Sequence, residues 1–120
     1  AVIGSVAGPG GGYGVAAKTV LSNNTLRENL KLLTGQNPSP FVHAHHMFPI
    51  GLESRFAEIG IRNIHLPAYG AWWNAGSHLR NSWRYRLEWQ KFLGSSDASA
   101  ETAYDFAREL AKRYGYRIHF

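Results

Sequence analysis

Three histidines fall within four positions of the stretch Phe41-Val42-His43-Ala44-His45-His46-Met47-Phe48-Pro49, half of the six in the chain. One imidazole buries comfortably with a single partner, but three so close together compete for partners and repel when charged. Such a cluster suits metal ligation or proton transfer. A second half-site follows Leu66-Pro67, where Asn74 and His78 stand four residues apart. An i, i+4 pair on a helix aims two side chains at one spot. The spacing predicts that His45 and His46 meet Asn74 and His78 around one metal ion.

Composition narrows the chemistry. The chain has no cysteine, which excludes thiolate zinc sites and thiol nucleophiles and removes any dependence on redox compartment. A metal must be held by His, Asn, Asp, Glu or water. The formal charge is +5, with nine arginines against four lysines. Guanidinium groups grip phosphate bidentately, so the balance suits a polyanionic partner, although a basic protein with no such partner carries the same charge.

The elements must bring the two half-sites together. A chain of 120 residues is expected to form one domain with a core that needs no disulfides. No run approaches the roughly 18 apolar residues that span a bilayer. Residues 1–14 are Gly-rich and read as a flexible linker, without the basic start of a signal peptide. The missing initiator Met predicts a fragment of something longer, with residues 15–120 as the domain. A short helix is expected over 13–21. A better one covers 24–33, where Thr25 and Glu28 have capping-box spacing, Leu26, Leu30 and Leu33 share a face, and Gly35 closes it. Residues 41–46 read as a strand, 52–59 as a helix stopped by Gly60, and 61–66 as an imperfectly alternating second strand ended by Pro67. After a turn at 68–71, a helix is expected over 72–93 with a possible break at Gly76. An amphipathic helix follows over 100–114, then a terminal strand over 116–120.

Strand, connection, strand, helix, with His45-His46 ending the first strand and Asn74-x-x-x-His78 on the helix, resembles the ββα-metal finger of the HNH/endonuclease VII superfamily. The match is to its His-His-x-x-Pro versions, which include the AHH nuclease domains of bacterial polymorphic toxins. It is carried by Ala44-His45-His46-Met47-Phe48-Pro49, by Gly60 to Pro67 and by Asn74 to His78, and Tyr85 to Leu93 looks like the tail helix of such toxins. The resemblance implies an α+β fold with a ββα-metal (His-Me finger) core and additional packing helices. It implies His45 as a metal ligand, His46 as the general base, Asn74 and His78 as further ligands, and Asn63 or Asn74 as the residue that orients the base. Asn74 stands where related colicin-type DNases carry His, and an amide oxygen is the weaker ligand.

Phosphodiester cleavage needs a nucleophilic water, charge stabilisation on the phosphate and help for the leaving oxygen. An imidazole with a reference pKa near 6.5 suits the first task. A divalent cation (Zn, Ni, Mn or Mg) held by His45, Asn74 and His78 suits the others. Neighbours on a strand face opposite ways, so His45 can turn to the metal while His46 turns to the water. Arg55, Arg62, Arg80, Arg84 and Arg86 are the expected phosphate-gripping rim.

Each residue also has a plainer reading. His43 can be a surface or accessory strand residue, and its place on the face of His45 lets it stand in for a lost ligand. His65 reads as structural and His119 as irrelevant to chemistry. Asn74 can equally cap a helix starting at Ala75, and the arginines can form a solvated face. Trp72, Trp73, Trp83 and Trp89 read mostly as core, with Trp72 or Trp73 able to stack on a base. The favoured expectation is a DNA-directed, metal-dependent endonuclease. It would be the C-terminal toxin domain of a secreted antibacterial effector acting in the target cell's cytoplasm, restrained in the producer by an acidic immunity protein. The other is a non-catalytic nucleic-acid-binding domain built on a structural metal.

Overall fold

A computed structural model describes residues 21–120. The expected linker over 1–14, and all but the last residue of the expected helix over 13–21, lie outside them. A 3-10 turn at Asn23–Thr25 leads into α1, Leu26–Thr34. The reciprocal capping sits one turn earlier than the Thr25/Glu28 spacing predicts: the Ser22 backbone N–H donates to Thr25 Oγ1 at 3.0 Å, while Glu28 pairs with Lys31. Leu26 and Leu30 enter the core. Gly35 ends the helix with φ 70°, the left-handed conformation that glycine adopts without strain.

Two antiparallel strands follow: β1, Val42–His46, and β2, Gly70–Asn74, with His43 opposite Trp73 and His45 opposite Ala71. The second strand is therefore not at 61–66, as expected, but nine residues further on. Ile61 and Ile64 are both buried, three apart, a spacing that a strand would put on opposite faces. In between, Asn63 Oδ1 accepts the His65 backbone N–H at 3.0 Å, a local turn that competes with a ladder. Pro67–Tyr69 forms a 3-10 turn, and the bulky Trp72-Trp73 pair, expected to begin a helix, fills the strand. The two indoles face opposite ways. Trp72 Nε1 donates to Thr34 Oγ1 under the guanidinium of Arg27, whereas Trp73 is buried against Tyr85, Tyr114 and Tyr116. Thus α1 covers one face of the sheet and the C-terminal half covers the other.

Between the strands, a 3-10 turn at Ile50–Leu52 leads into the short α2, Glu53–Glu58, shorter at both ends than the expected helix. After β2 the chain passes directly into α3, Ala75–Leu93, unbroken at Gly76. Ser99 caps α4, Ala100–Tyr114, as periodicity predicts. Residues 116–120 are not a strand: Tyr116 is buried and Phe120 packs on Phe48, Tyr69 and Tyr104, so the tail is held by side chains rather than by a ladder. The core runs from Phe48 and Phe56 through Trp89 to Ala107 and Leu110. The fold is α+β, with β1 and β2 joined through α2 and β2 running straight into α3. Among the described residues no helix is long and apolar enough to cross a membrane.

Candidate metal and acid–base site

Strand parity separates the histidines. His43 and His45 share the face of β1 that looks towards α3, where His78 lies one turn in from the helix start. His78 meets both: its Nδ1 is 2.9 Å from His43 Nδ1, and its ring centre is 5.0 Å from that of His45. His45 is 4 % exposed and walled by Trp73, Tyr85 and Tyr116, all edge-on. Its Nε2 is buried with no hydrogen-bond partner among the described residues. Burial first, then the neighbouring His78 and His46, hold its pKa well below the ordinary value near 6.5. His78 is lowered by burial and by His43. Both imidazoles are thus neutral at pH 7, the form in which nitrogen ligates metal.

His46, at the strand end, points into a different neighbourhood. Its Nε2 is 3.0 Å from His65 Nδ1, and His65 Nε2 is 3.3 Å from Glu53 Oε2 on the first turn of α2. Burial and the adjacent His65 lower the His46 pKa to about 4. Just past it, Tyr85 donates its hydroxyl to the Met47 carbonyl at 2.6 Å and lies 2.6 Å from the Tyr116 hydroxyl, which pins the backbone behind the His pair. Burial, and then Tyr116, keep the Tyr85 pKa well above 10, so it remains a hydrogen-bond donor.

His45, His46 and His78 open together onto a cleft of about 380 Å³, whose wall continues along α3 through Ser82 and Arg86. A Cβ at Gly51 would lie 3.1 Å from Arg86 Cζ, so the glycine makes the room in which that guanidinium lies.

Several expected roles change. Asn74 does not face the histidines as a ligand: its Oδ1 accepts the Ser77 N–H at 3.1 Å and caps α3, and His43 takes the place against His78. The cap wins because an Asn immediately before a helix satisfies a backbone donor that would otherwise be orphaned. Among the described residues Asn63 has no hydrogen bond to His46; its Oδ1 accepts the backbone N–H of His65, whose ring meets His46. Of the five expected arginines, only Arg86 lines the cleft. Arg55 donates to the Leu93 carbonyl and pairs with Glu58. Arg62 is exposed on the loop carrying Asn63. Arg80 lies over Gly76 at the helix start, and Arg84 lines a separate hollow with Glu88 and Arg113. At about 100° per residue, Arg84 and Arg86, two apart on α3, point to nearly opposite sides of the helix and cannot share one rim.

Sequence reasoning overlooked Tyr85, Tyr116 and Glu53, and read His65 as structural. Tyr85 carried a signal, since it lies seven residues after His78 on the same helix face. Glu53 carried none, being an acidic residue in a first helical turn like many others.

The donors can be tested against a metal. Among the described residues, no group of three or more His, Asp or Glu side chains closes around one point, so a four-ligand cage is not built. An open site fits better. His45 offers the unpartnered Nε2. The 5.0 Å between the His45 and His78 rings matches the about 5 Å expected of two imidazoles bound at about 2.0–2.1 Å to one tetrahedral ion. His43, bonded to His78 Nδ1, leaves Nε2 of His78 available and orients it, as partners of ligating histidines do. Comparison with models of known protein families, with curated proteins and with solved structures finds no match.

Proposed function

We propose that the chain is a metal-dependent endonuclease that hydrolyses phosphodiester bonds, with DNA as the preferred substrate. The observation that carries this reading is the division of labour between adjacent histidines: His45 sits buried with an unpartnered nitrogen beside His78, while His46 turns to a separate hydrogen-bonded partner, and both border one cleft. His45 and His78 would hold a divalent cation, which when bound neutralises charge on the scissile phosphate and its leaving oxygen. His46, neutral at pH 7, takes the proton of the attacking water. Arg86 grips a non-bridging phosphate oxygen from the same wall; among the described residues no carboxylate holds it back. Tyr85 and Tyr116 keep water from the far side of His45 and hold its ring.

The resemblance of the His-His-x-x-Pro segment to toxin nucleases, together with the +5 charge, supports a wider reading. The chain would be the toxin domain of a secreted effector, acting in the target cell's cytoplasm and covered by an acidic immunity protein in the cell that makes it. The deciding experiment is nicking of supercoiled plasmid with Mn²⁺, Mg²⁺, Ni²⁺ or Zn²⁺, and with chelator. Cleavage that needs metal supports the proposal. Binding without cleavage under every metal would leave a non-catalytic nucleic-acid-binding domain.

A further inference from the structure

Glu53, His65 and His46 come from three different segments and meet in a line. The contacts are Glu53 Oε2 to His65 Nε2 at 3.3 Å, and His65 Nδ1 to His46 Nε2 at 3.0 Å. A carboxylate only accepts hydrogen bonds. An imidazole nitrogen 3.3 Å from a carboxylate turns its N–H, not a bare lone pair, towards that charge, so a neutral His65 is protonated at Nε2 and its Nδ1 is the acceptor. His46 Nε2 must then donate, and His46 Nδ1 is left with the lone pair. We propose that Glu53 and His65 are positioning residues that fix the ring and tautomer of His46, so that Nδ1 is the atom that takes the proton from water. The inference rests on the reading of His46 as the general base.

The plain alternative is a half-exposed carboxylate idling near a histidine, since an exposed ion pair stabilises little. Three observations weigh against it. The His65 side chain is only 14 % exposed. Its backbone N–H is tied to Asn63 Oδ1 at 3.0 Å, so the loop is built to present this ring. The two ring nitrogens of His65 both have a neighbour, one on each side, and with Glu53 ionised and His65 neutral only one proton arrangement suits both. When His46 takes up the water's proton at Nδ1 it becomes an imidazolium, and the Glu53 charge on the far side of His65 offsets it without touching substrate.

The test uses the whole chain with ¹⁵N-labelled histidine. Long-range ¹H–¹⁵N correlation spectra near pH 7.5 report which His46 nitrogen is protonated. The parent should show the Nε2–H tautomer. Glu53→Ala and His65→Phe should shift it towards a mixture. In plasmid nicking both should lower kcat by roughly 10–100-fold with KM unchanged, the scale known for hydrogen-bond partners of metal-ligating histidines. His65→Asn places an acceptor oxygen where Nδ1 was, so it should recover much of the loss in kcat that His65→Phe shows. A parent carrying Nδ1–H, or a tautomer and kcat unmoved in Glu53→Ala, would overturn the proposal. Should His65→Phe fail to fold, Glu53→Ala, at a half-exposed position, carries both readouts. If no variant and no parent cleaves, the nuclease reading falls, and the tautomer spectra still decide whether the chain of bonds sets His46.

Discussion

At the scale of single residues, the two adjacent histidines make the sharpest contrast. His46→Ala should slow cleavage by about 10²–10⁴-fold, the range of general-base catalysis, and leave metal binding by calorimetry close to parent. His78→Ala should behave oppositely: metal affinity falls, and excess metal restores part of the activity. Metal lost in His46→Ala but kept in His45→Ala would reverse the assignment, and because His43 shares the face of His45, the double variant His43→Ala with His45→Ala belongs in the series. Arg86 and Arg55 form a second contrast. Arg86→Ala should reduce the salt slope of DNA binding by about 1, as expected for one lost phosphate contact, whereas Arg55→Ala should leave it unchanged because that guanidinium is bonded to the Leu93 carbonyl. Equal slopes for the two would move the phosphate path away from the cleft. What was legible here followed from residue type. Adjacent imidazoles have little use in a core, so His45 and His46 stood out; His78 was reached through its i, i+4 spacing to Asn74, a residue that caps the helix. Glu53 and His65 did not, because their role lies in a meeting of three segments that no spacing encodes.

At the scale of elements, the ββα order was readable but the second strand was misplaced. Ile61, Ile64 and Leu66 mimic a strand, yet Ile61 and Ile64 are buried by the packing of an irregular loop, with Asn63 closing a turn inside it. The true strand holds Trp72 and Trp73, whose alternation was hidden because both residues are apolar; only the fold shows one under α1 and the other in the core. The shift decides the role of Asn74. On a helix starting at 72 it would present a ligand one turn before His78. At the junction of β2 and α3 it is the cap. Asn74→Ala should therefore lower stability by about 1 kcal/mol, the usual worth of an Asn cap, while metal affinity stays close to parent, and Asn74→Ser should restore the stability. Urea titration and calorimetry on the same samples separate the two roles. A large loss of metal affinity with little change in stability would return Asn74 to the ligand set.

At the scale of the whole molecule, the site makes the fold sensitive to acid. His45, His46, His78 and His119 all have pKa values lowered first by burial, His46 to about 4. In the unfolded chain each returns to near 6.5. Above pH 6.5 both states carry neutral imidazoles, and nothing is lost. As pH falls below 6.5 the unfolded chain takes up protons that the native state refuses, so the equilibrium moves towards unfolding. For His46 the loss continues until its native pKa, near 4, is reached. The charge of +5 at neutral pH rises further in the same window and adds repulsion. The metal-free protein should therefore show a urea midpoint that is level from pH 8 to 7 and falls steadily from 6.5 towards 4. On the proposed reading a divalent cation would bind the native, neutral imidazoles, so it should raise the midpoint at pH 7.5 and lose that effect as they protonate. His46→Asn removes one of the reluctant bases and should make the acid limb shallower. A midpoint that stays level through pH 5 in the parent would mean that these rings are hydrated in the native state and that the walls drawn by Trp73, Tyr85 and Tyr116 around His45 do not hold in solution.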